Sequence, residues 1–270
     1  MSEHSFKYTD EELNLDQAHH YTLLLQLNAQ SFSYAIIFEK KLLAWAENCP
    51  PEELKNPQEY KDILTADYKK VITGLPTTGF TLLPTTLFDD TRVADMARLL
   101  DVKETEKVYA QSLDNENFII YKVDEALVPN GEYFDISNTV YQGKGWINLI
   151  AANNSGNNNL YVNMDEGVAE FLFFKENKLR FYNFFSYTNS EELAYYSAFV
   201  AEELSLNMKQ TNLILSGDIN ATDSSFTYLE KFFGTVKLND IYPLEMPEQV
   251  VPHKLLTLAA LSLCASSEEN

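Results

Sequence analysis

The stretch "LLLQLNAQSFSYAII", from Leu23 to Ile37, is the part of the sequence that best indicates the fold class of this chain. Its two apolar segments flank small polar residues at 28–31, a pattern typical of two strands joined by a tight turn. A third apolar segment, "KLLAWAE" at 41–47, follows a polar turn. We therefore predict a three-stranded meander over residues 21–47. Its first turn is of a kind that can hold a phosphate with backbone N–H groups.

The second half of the chain repeats this pattern. The segment "NLYVNMDEGVAEFLFFKENKLRFYNFF" at 159–185 predicts three more strands, because it is dense in aromatic residues. A helix is predicted after each meander, with "NPQEYKDILTADYKKVITG" at 56–74 and "NSEELAYYSAFVAEELSL" at 189–206. Each helix begins with an asparagine that is followed three residues later by a glutamate, as in a capping box. Strands that alternate with helices indicate an α/β fold, and the repetition indicates an internal duplication.

The charge and composition exclude several function classes. The 270 residues carry a formal net charge of −20, and 45% of them are hydrophobic. We expect such a chain to repel nucleic acid, which proteins bind largely through Lys and Arg. It contains no run of about 18 apolar residues, so no direct membrane insertion is expected. The first residues lack the pattern of a signal peptide, so we expect a cytoplasmic protein in which Cys49 and Cys264 are reduced.

Three stretches carry a resemblance to a known superfamily. They are the hairpin at 23–37, a second hairpin "YVNMDEGVAEFLFF" at 161–174, and "LILSGDINATDSSFTYLEKFFG" at 213–234. Together they resemble the actin-like ATPases, which implies a ribonuclease H-like α/β fold with two similar lobes around a cleft. The layout is also similar to PilM-type pilus assembly proteins and to the cytoplasmic domain of type II secretion protein L. The stretches "KLRFYNFFSYTNSEELAYYSAFVAEEL" and "LSGDI" look most like an uncharacterised Bacteroidetes family with this fold.

The polar segment "NNSGNNN" at 153–159 is either the boundary between two lobes or one long surface loop. With the boundary placed there, the first lobe comprises residues 1–154 and the second comprises residues 155–270. The resemblance implies that the last apolar helix, at about 251–265, packs back on the first lobe.

The first phosphate loop of the superfamily usually reads apolar–Asp–apolar–Gly. Here Gln26 stands at the Asp position and Asn28 at the Gly position. Gln26 has no charge to attract a hydrated cation, and Asn28 adds a side chain where backbone N–H groups would approach a phosphate. Ser31 can still donate a hydrogen bond. The resemblance therefore implies a degenerate loop.

The second phosphate loop usually reads Asp–apolar–Gly–Gly–Gly, and its counterpart here is "NMDEG". Asn163 stands at the acidic position, Asp165 and Glu166 replace the first two glycines, and Gly167 is retained. Two carboxylates would face phosphate oxygens, and like charges about 4 Å apart repel by about 4 kcal/mol at an effective dielectric of 20. Mg²⁺ could offset this repulsion, since it accepts carboxylate ligands.

The adenosine motif usually reads apolar–Gly–Gly, and its counterpart here is Ser216, Gly217 and Asp218. A glycine at this place serves either a nucleotide or the close packing of a strand against a helix, and packing is the interpretation we favour.

The expected function is a pseudo-ATPase that acts as a scaffold or protein-interaction module, because the phosphate-loop positions are degenerate. A nucleotide-binding switch with slow or no hydrolysis and a small-molecule kinase are the alternatives. No catalytic residue can be named, so an enzyme is not favoured. The four histidines lack metal-binding spacing, so no metal site is predicted, and ATP with Mg²⁺ is not the expected cofactor. The pilus and secretion relatives imply a protein partner.

Overall fold

The computed structural model describes residues 7–128, 138–153, 156–165 and 167–264. They form two compact units. The first unit includes the described residues of Met1–Trp146, Pro243–Val250 and Leu258–Asn270. The second unit includes those of Ile147–Tyr242 and Val251–Thr257. The predicted lobe boundary, between residues 154 and 155, falls outside the described residues and stays a prediction.

Strands account for most of the regular structure. The strands are β1 (Lys7–Thr9), β2 (Thr22–Leu27), β3 (Phe32–Phe38), β4 (Lys41–Cys49), β5 (Lys70–Leu75), β6 (Gly79–Pro84), β7 (Glu106–Ser112), β8 (Asn117–Asp124), β9 (Thr139–Tyr141), β10 (Asn159–Asp165), β11 (Val168–Lys175), β12 (Lys178–Ser186), β13 (Asn212–Gly217) and β14 (Thr235–Leu238). The helices are α1 (Lys61–Leu64), α2 (Val93–Ala97), α3 (Gly143–Asn153), α4 (Ser190–Glu203), α5 (Ser224–Leu229) and α6 (Leu256–Ala260).

The main sheet of the first unit has the strand order β1-β4-β3-β2-β5-β9. The strands β2, β3 and β4 form the predicted antiparallel meander, and β5 and β9 then extend the sheet in parallel. A separate three-stranded sheet, β6-β8-β7, also belongs to this unit. Within it, Glu106 forms a buried ion pair with Lys122 (3.0 Å).

The sheet of the second unit has the order β12-β11-β10-β13-β14. Its strands β10, β11 and β12 form an antiparallel meander, and β13 and β14 continue the sheet in parallel. This order matches β4-β3-β2-β5-β9 of the first unit. Each pair of neighbouring strands is also antiparallel or parallel in the same places in both sheets. The predicted internal duplication is therefore visible in the topology.

The predicted helix over 56–74 is wrong. Only α1 is helical in this range, and the chain from Lys70 to Leu75 is the strand β5. The segment contains consecutive β-branched residues, which suit a strand buried between two neighbours. Pairing with β2 on one side and β9 on the other outweighs the local helix signals.

The helices α4 and α5 pack on one face of the second sheet. Leu193 and Val200 from α4 and Phe226 and Leu229 from α5 join the apolar residues that alternate along the strands. The strand residues of this core are Leu160, Val162, Met164, Ala169, Phe171, Phe173, Leu213 and Leu215. The side chains of Asn163, Glu170 and Ser216 have the opposite parity and therefore project from the other face.

The last described residues pack within the first unit. The turn Leu261–Cys264 contacts β5 and β2, and a Leu261 methyl carbon lies 3.1 Å from the Cβ position of Gly74. Gly145 also approaches the backbone of Ala260 so closely that any side chain there would overlap it. No helix in the described part of the chain combines the length and apolar character needed to cross a bilayer.

Candidate functional site

The first hairpin places three of the predicted site residues together. The strands β2 and β3 pair up to Leu27 and Phe32, which leaves a four-residue turn between them. Asn28 and Ser31 lie in this turn, and the Asn28 N–H donates to the Ser31 carbonyl (2.9 Å). Gln26 precedes Leu27 on β2, where it pairs with Ser33 of β3 on one side and with Gly74 of β5 on the other. It is only 7% exposed. The turn is therefore closed by its own backbone.

A cavity of about 260 Å³ lies beside this turn. Asn28, Ser31, Glu52 and Lys55 supply its polar lining. Its other lining residues are apolar: Leu27, Pro51, Leu54, Ala126, Leu127 and Val128. The described lining thus has one acidic and one basic side chain among mainly apolar walls.

The second hairpin is tighter than the first. The strands β10 and β11 pair up to Asp165 and Val168, so two residues make the turn. Gly167 has a φ of +78°, a conformation that favours glycine, and its carbonyl accepts from the Tyr187 N–H (2.8 Å). The predicted site residue Glu166 lies outside the described residues.

A polar network crosses the second sheet next to this hairpin. The Ser216 hydroxyl donates to Oδ1 of Asn163 (3.2 Å), and Nδ2 of Asn163 donates to Glu170 (3.2 Å). The Tyr182 hydroxyl donates to the other oxygen of Glu170 (2.7 Å). Neighbouring strands supply these residues in the order β13, β10, β11 and β12. Each polar group thus finds its partner inside the protein, as buried polar groups require.

The carboxyl group of Glu170 is the titratable member of this network. Burial raises the pKa of Glu170, while the hydrogen bonds from Tyr182 and Asn163 act in the opposite direction. Burial is the larger of these effects, and it raises the pKa because it penalises the ionised form of the carboxyl group. The described residues form no salt bridge with Glu170. The site therefore holds a carboxyl group that is stabilised by neutral donors alone.

Gly217 has a packing role that its backbone requires. Its φ is +81°, and a Cβ atom there would overlap the carbonyl oxygen of Met164 on the neighbouring strand. That carbonyl also accepts from the Asp218 N–H (2.7 Å). The close approach of β13 to β10 accounts for this glycine without a nucleotide.

The structure brings Asp165 and Asp218 close together in the second unit. They follow the paired residues Met164 and Gly217. Both carboxylates raise the pKa of Tyr187, although burial contributes more. Lys254 lies 3.3 Å from the largely exposed carboxylate of Asp218. Lys254 thus offsets part of the charge of Asp218.

Three residues of this region were not singled out from the sequence: Glu170, Tyr182 and Asn239. Asn239 follows β14, and its backbone N–H donates to the Leu215 carbonyl (2.7 Å). Its side chain is 2% exposed, and its amide oxygen has no hydrogen-bond partner among the described residues. Glu170 had a usable signal, because it is the one charged residue in the apolar run "VAEFLFF".

Binding of Mg²⁺ with ATP would require oxygen ligands at the hairpins. Within the described ranges, no group of three or more His, Cys, Asp or Glu side chains is arranged to hold a metal ion. Gln26 and Asn163 stand where a carboxylate would be needed, and Asn163 is hydrogen-bonded to Ser216 and Glu170. The described part of the two hairpins therefore contains no such group of metal ligands.

Comparison by sequence identifies a family. The family model described as "Protein of unknown function (DUF3822)" matches residues 10–236. This match spans most of the chain, so the chain belongs to the DUF3822 family. The chain matches none of the curated protein sequences.

Comparison by structure identifies the fold. A protein of actin-like ATPase fold and unknown function from Bacteroides thetaiotaomicron is 20% identical, with a TM-score of 0.77. The alignment covers 93% of this chain and 98% of that one. The predicted actin-like ATPase fold is thereby confirmed.

Two more distant structures are also similar. An activator of 2-hydroxyisocaproyl-CoA dehydratase from Clostridium difficile, with bound ADPNP, is 9% identical over 90% of this chain and 94% of that one, with a TM-score of 0.47. The ethanolamine utilization protein EutJ from Carboxydothermus hydrogenoformans is 8% identical over 90% and 89%, with a TM-score of 0.44.

Proposed function

We propose that this member of the DUF3822 family is a pseudo-ATPase, an actin-like fold that serves as a scaffold or protein-interaction module without efficient ATP hydrolysis. The likeness to PilM-type pilus assembly proteins and type II secretion protein L belongs to this proposal, because those relatives act through protein contacts. The cytoplasmic location expected from the sequence is also part of this proposal. Fold alone does not supply this function, so its support has to come from the site.

The side chain of Asn163 carries the proposal. Related ATPases place an aspartate here to orient Mg²⁺ and its water. In this chain an amide stands there, with its oxygen accepting from Ser216 and its nitrogen donating to Glu170. Both ends of the amide are therefore used inside the sheet, and Asn163 is only 3% exposed. Freeing it for a ligand would leave buried partners unsatisfied, at about 1–3 kcal/mol for each group.

The first hairpin supports the proposal independently. Gln26 has no charge, it is buried, and the cavity beside the turn has mainly apolar walls. The carboxylates of Asp165 and Asp218 in the second unit would repel a phosphate, and Lys254 lies 3.3 Å from Asp218. Neutral or acidic side chains thus stand at both sets of phosphate-loop positions, which supports the proposal.

Phosphate release from ATP in the presence of Mg²⁺ tests the proposal directly. We expect no release above that of buffer, for the wild type and for Gln26→Ala alike. The exposed turn substitution Gln30→Ala is the matched control. Turnover near about 1 per second that Gln26→Ala abolishes and Gln30→Ala leaves intact would contradict the proposal.

A nucleotide-binding switch is the second candidate, and Asn239 is the observation that favours it. Its buried amide oxygen lies at the same edge of the sheet as Ser216 and can accept a hydrogen bond from a ligand amino group. Ligands of open α/β sheets bind at the carboxyl ends of the strands, which is where Asn239 lies. A ligand bound to the folded state raises the melting temperature. A melting temperature that stays unchanged with millimolar ATP, ADP, GTP or AMP, with and without Mg²⁺, would exclude this candidate.

A further inference from the structure

We infer that the outer face of α4 is a docking surface for a basic protein segment with an apolar anchor. The surface consists of Tyr195 and Phe199, with Glu191, Glu192, Glu202 and Glu203 around them. This inference rests on the proposed role as a protein-interaction module, and it specifies where the partner binds and what chemistry the partner brings.

The helix α4 presents two large aromatic side chains to solvent. Tyr195 is 63% exposed and Phe199 is 40% exposed. They are four residues apart, so they project from the same side of the helix, and their rings are nearly parallel with centroids 6.3 Å apart. The buried residues of α4, such as Leu193 and Val200, lie on the opposite side. The packing of α4 on its own sheet therefore does not account for the two exposed rings.

A network of aromatic contacts holds these rings in place. Phe199 contacts Phe185 of β12 edge to face, with ring centroids 6.4 Å apart, and Tyr195 contacts Tyr196 in the same way at 5.4 Å. Phe185 in turn stacks on Tyr196 (4.7 Å) and contacts the fully buried Phe171 (5.7 Å). The exposed rings thus rest on the core of the second unit. Rigid aromatic anchors of this kind dominate the binding energy of protein interfaces, because little side-chain entropy is lost on binding.

The charged residues of α4 all have one sign. Glu191 and Glu202 fall on the same stripe of the helix as the two rings, and Glu192 and Glu203 lie beside it. All four are exposed, and none forms a salt bridge within the described residues. A partner that brings Arg or Lys beside an apolar side chain would pair with these carboxylates and stack on the aromatic faces.

The same charges disfavour a second copy of this chain as the occupant. A two-fold contact through this surface would bring its four glutamates against the same four of the partner copy. Like charges that face each other destabilise an interface, and the net charge of −20 adds to the repulsion. Nucleic acid is excluded for the same reason. The exposed carboxylates beside the two rings favour a basic polypeptide as the partner.

A designed peptide probe tests the docking surface. The probe is a rhodamine-labelled helical peptide of about 15 residues that carries two leucines at i and i+4 with arginines beside them. A second peptide with glutamate in place of each arginine is its control. Fluorescence anisotropy with the full-length protein should give a Kd of about 10 μM for the basic peptide, weaker at higher salt, and no binding of the acidic peptide.

Matched variants of the protein make this test specific. Tyr195→Ser with Phe199→Ser, and separately Glu191→Gln with Glu202→Gln, should each weaken binding by about tenfold or more. The controls are Leu99→Ser, an exposed leucine of the first unit, and Glu104→Gln with Glu248→Gln, which removes two exposed charges elsewhere. These control variants should bind as the wild type does. Circular dichroism verifies that each variant is folded, and the charge variant keeps the test valid if the aromatic variant does not fold.

Three outcomes would overturn the inference. They are no binding of the basic peptide, equal loss in the control variants, or a dimer in light scattering that Tyr195→Ser with Phe199→Ser dissociates. The proposed pseudo-ATPase role fails by a different measurement, phosphate release, so the two failures are distinguishable.

Discussion

The two hairpins occupy the same position in sheets of the same strand order, yet their turns differ. In the first unit, four residues join β2 to β3, and a cavity with mainly apolar walls lies beside the turn. In the second unit, two residues join β10 to β11, and a polar network crosses the sheet just before the turn. The two units therefore share their strand order, while the length of the turn and the side chains around it differ.

The glycines of the equivalent strands β5 and β13 extend this comparison. A Cβ atom at Gly217 would meet the backbone of Met164, whereas one at Gly74 would meet only side-chain atoms, the methyl carbons of Leu261 and the Cβ of Gln142. Backbone cannot move aside for a new methyl group at low cost, but a side chain can. Gly217, which pairs with Met164, is thus more tightly constrained than Gly74, which pairs with Gln26.

The largest expected effect comes from adding a methyl group at these glycines. Gly217→Ala should lower the free energy of unfolding by about 3 kcal/mol or more, because it combines a backbone overlap with a left-handed φ. Gly74→Ala should change it by about 1 kcal/mol or less. Urea denaturation followed by circular dichroism measures both. Equal effects at the two positions would contradict the proposed difference between the units.

A smaller loss of stability is expected when a charge is added to the polar network of the second unit. Asn163→Asp places a second carboxyl group about 3 Å from Glu170 and should destabilise the protein by about 2 kcal/mol at pH 8. Burial raises the pKa of Glu170, so its carboxyl group stays protonated to a higher pH when folded than when unfolded. The destabilisation should therefore be small near pH 4 and grow as the pH rises through the folded pKa.

Unfolding curves at several pH values measure this dependence. Asn183→Asp is the control, because Asn183 lies on β12 of the same unit and is exposed. It should change the free energy of unfolding by less than about 0.5 kcal/mol at every pH. A destabilisation by Asn163→Asp that does not depend on pH would show that Glu170 does not sense the new charge.

The smallest effect is expected in the turns themselves. Gly167→Ala should cost about 1 kcal/mol, because alanine is strained at a φ of +78°. Gln30→Ala, in the exposed part of the first turn, should be close to neutral. Thermal unfolding of the two variants compares them directly. A larger loss for Gln30→Ala would indicate that the first turn is the more constrained.

Local sequence patterns were sufficient for the meanders and for α4. The apolar runs at 21–47 and 159–185 match β2 to β4 and β10 to β12 closely. Asn189 caps α4 as predicted, since its side chain accepts from the N–H groups of Glu191 and Glu192. These features depend on residues a few positions apart, so the sequence around them is enough to predict them.

Long-range pairing explains what local patterns missed. The capping signals at 56–59 are local and predict a helix that includes the residues of β5, while the partners of β5 are the distant strands β2 and β9. The short parallel strands β9 and β14 were also missed. A strand of three or four residues has too little alternation to be recognised, and its stability comes from the neighbour that it pairs with.

The sequence by itself determined the duplicated meander and the absence of a phosphate-loop aspartate at Gln26 and Asn163, because residue identity and alternation are local properties. Only the tertiary structure decided that Asn163 is engaged by Ser216 and Glu170, and that two aromatic rings of α4 remain outside the core. Both depend on strand register and helix orientation. Those are set when distant segments pack together, and no single stretch of the chain specifies them.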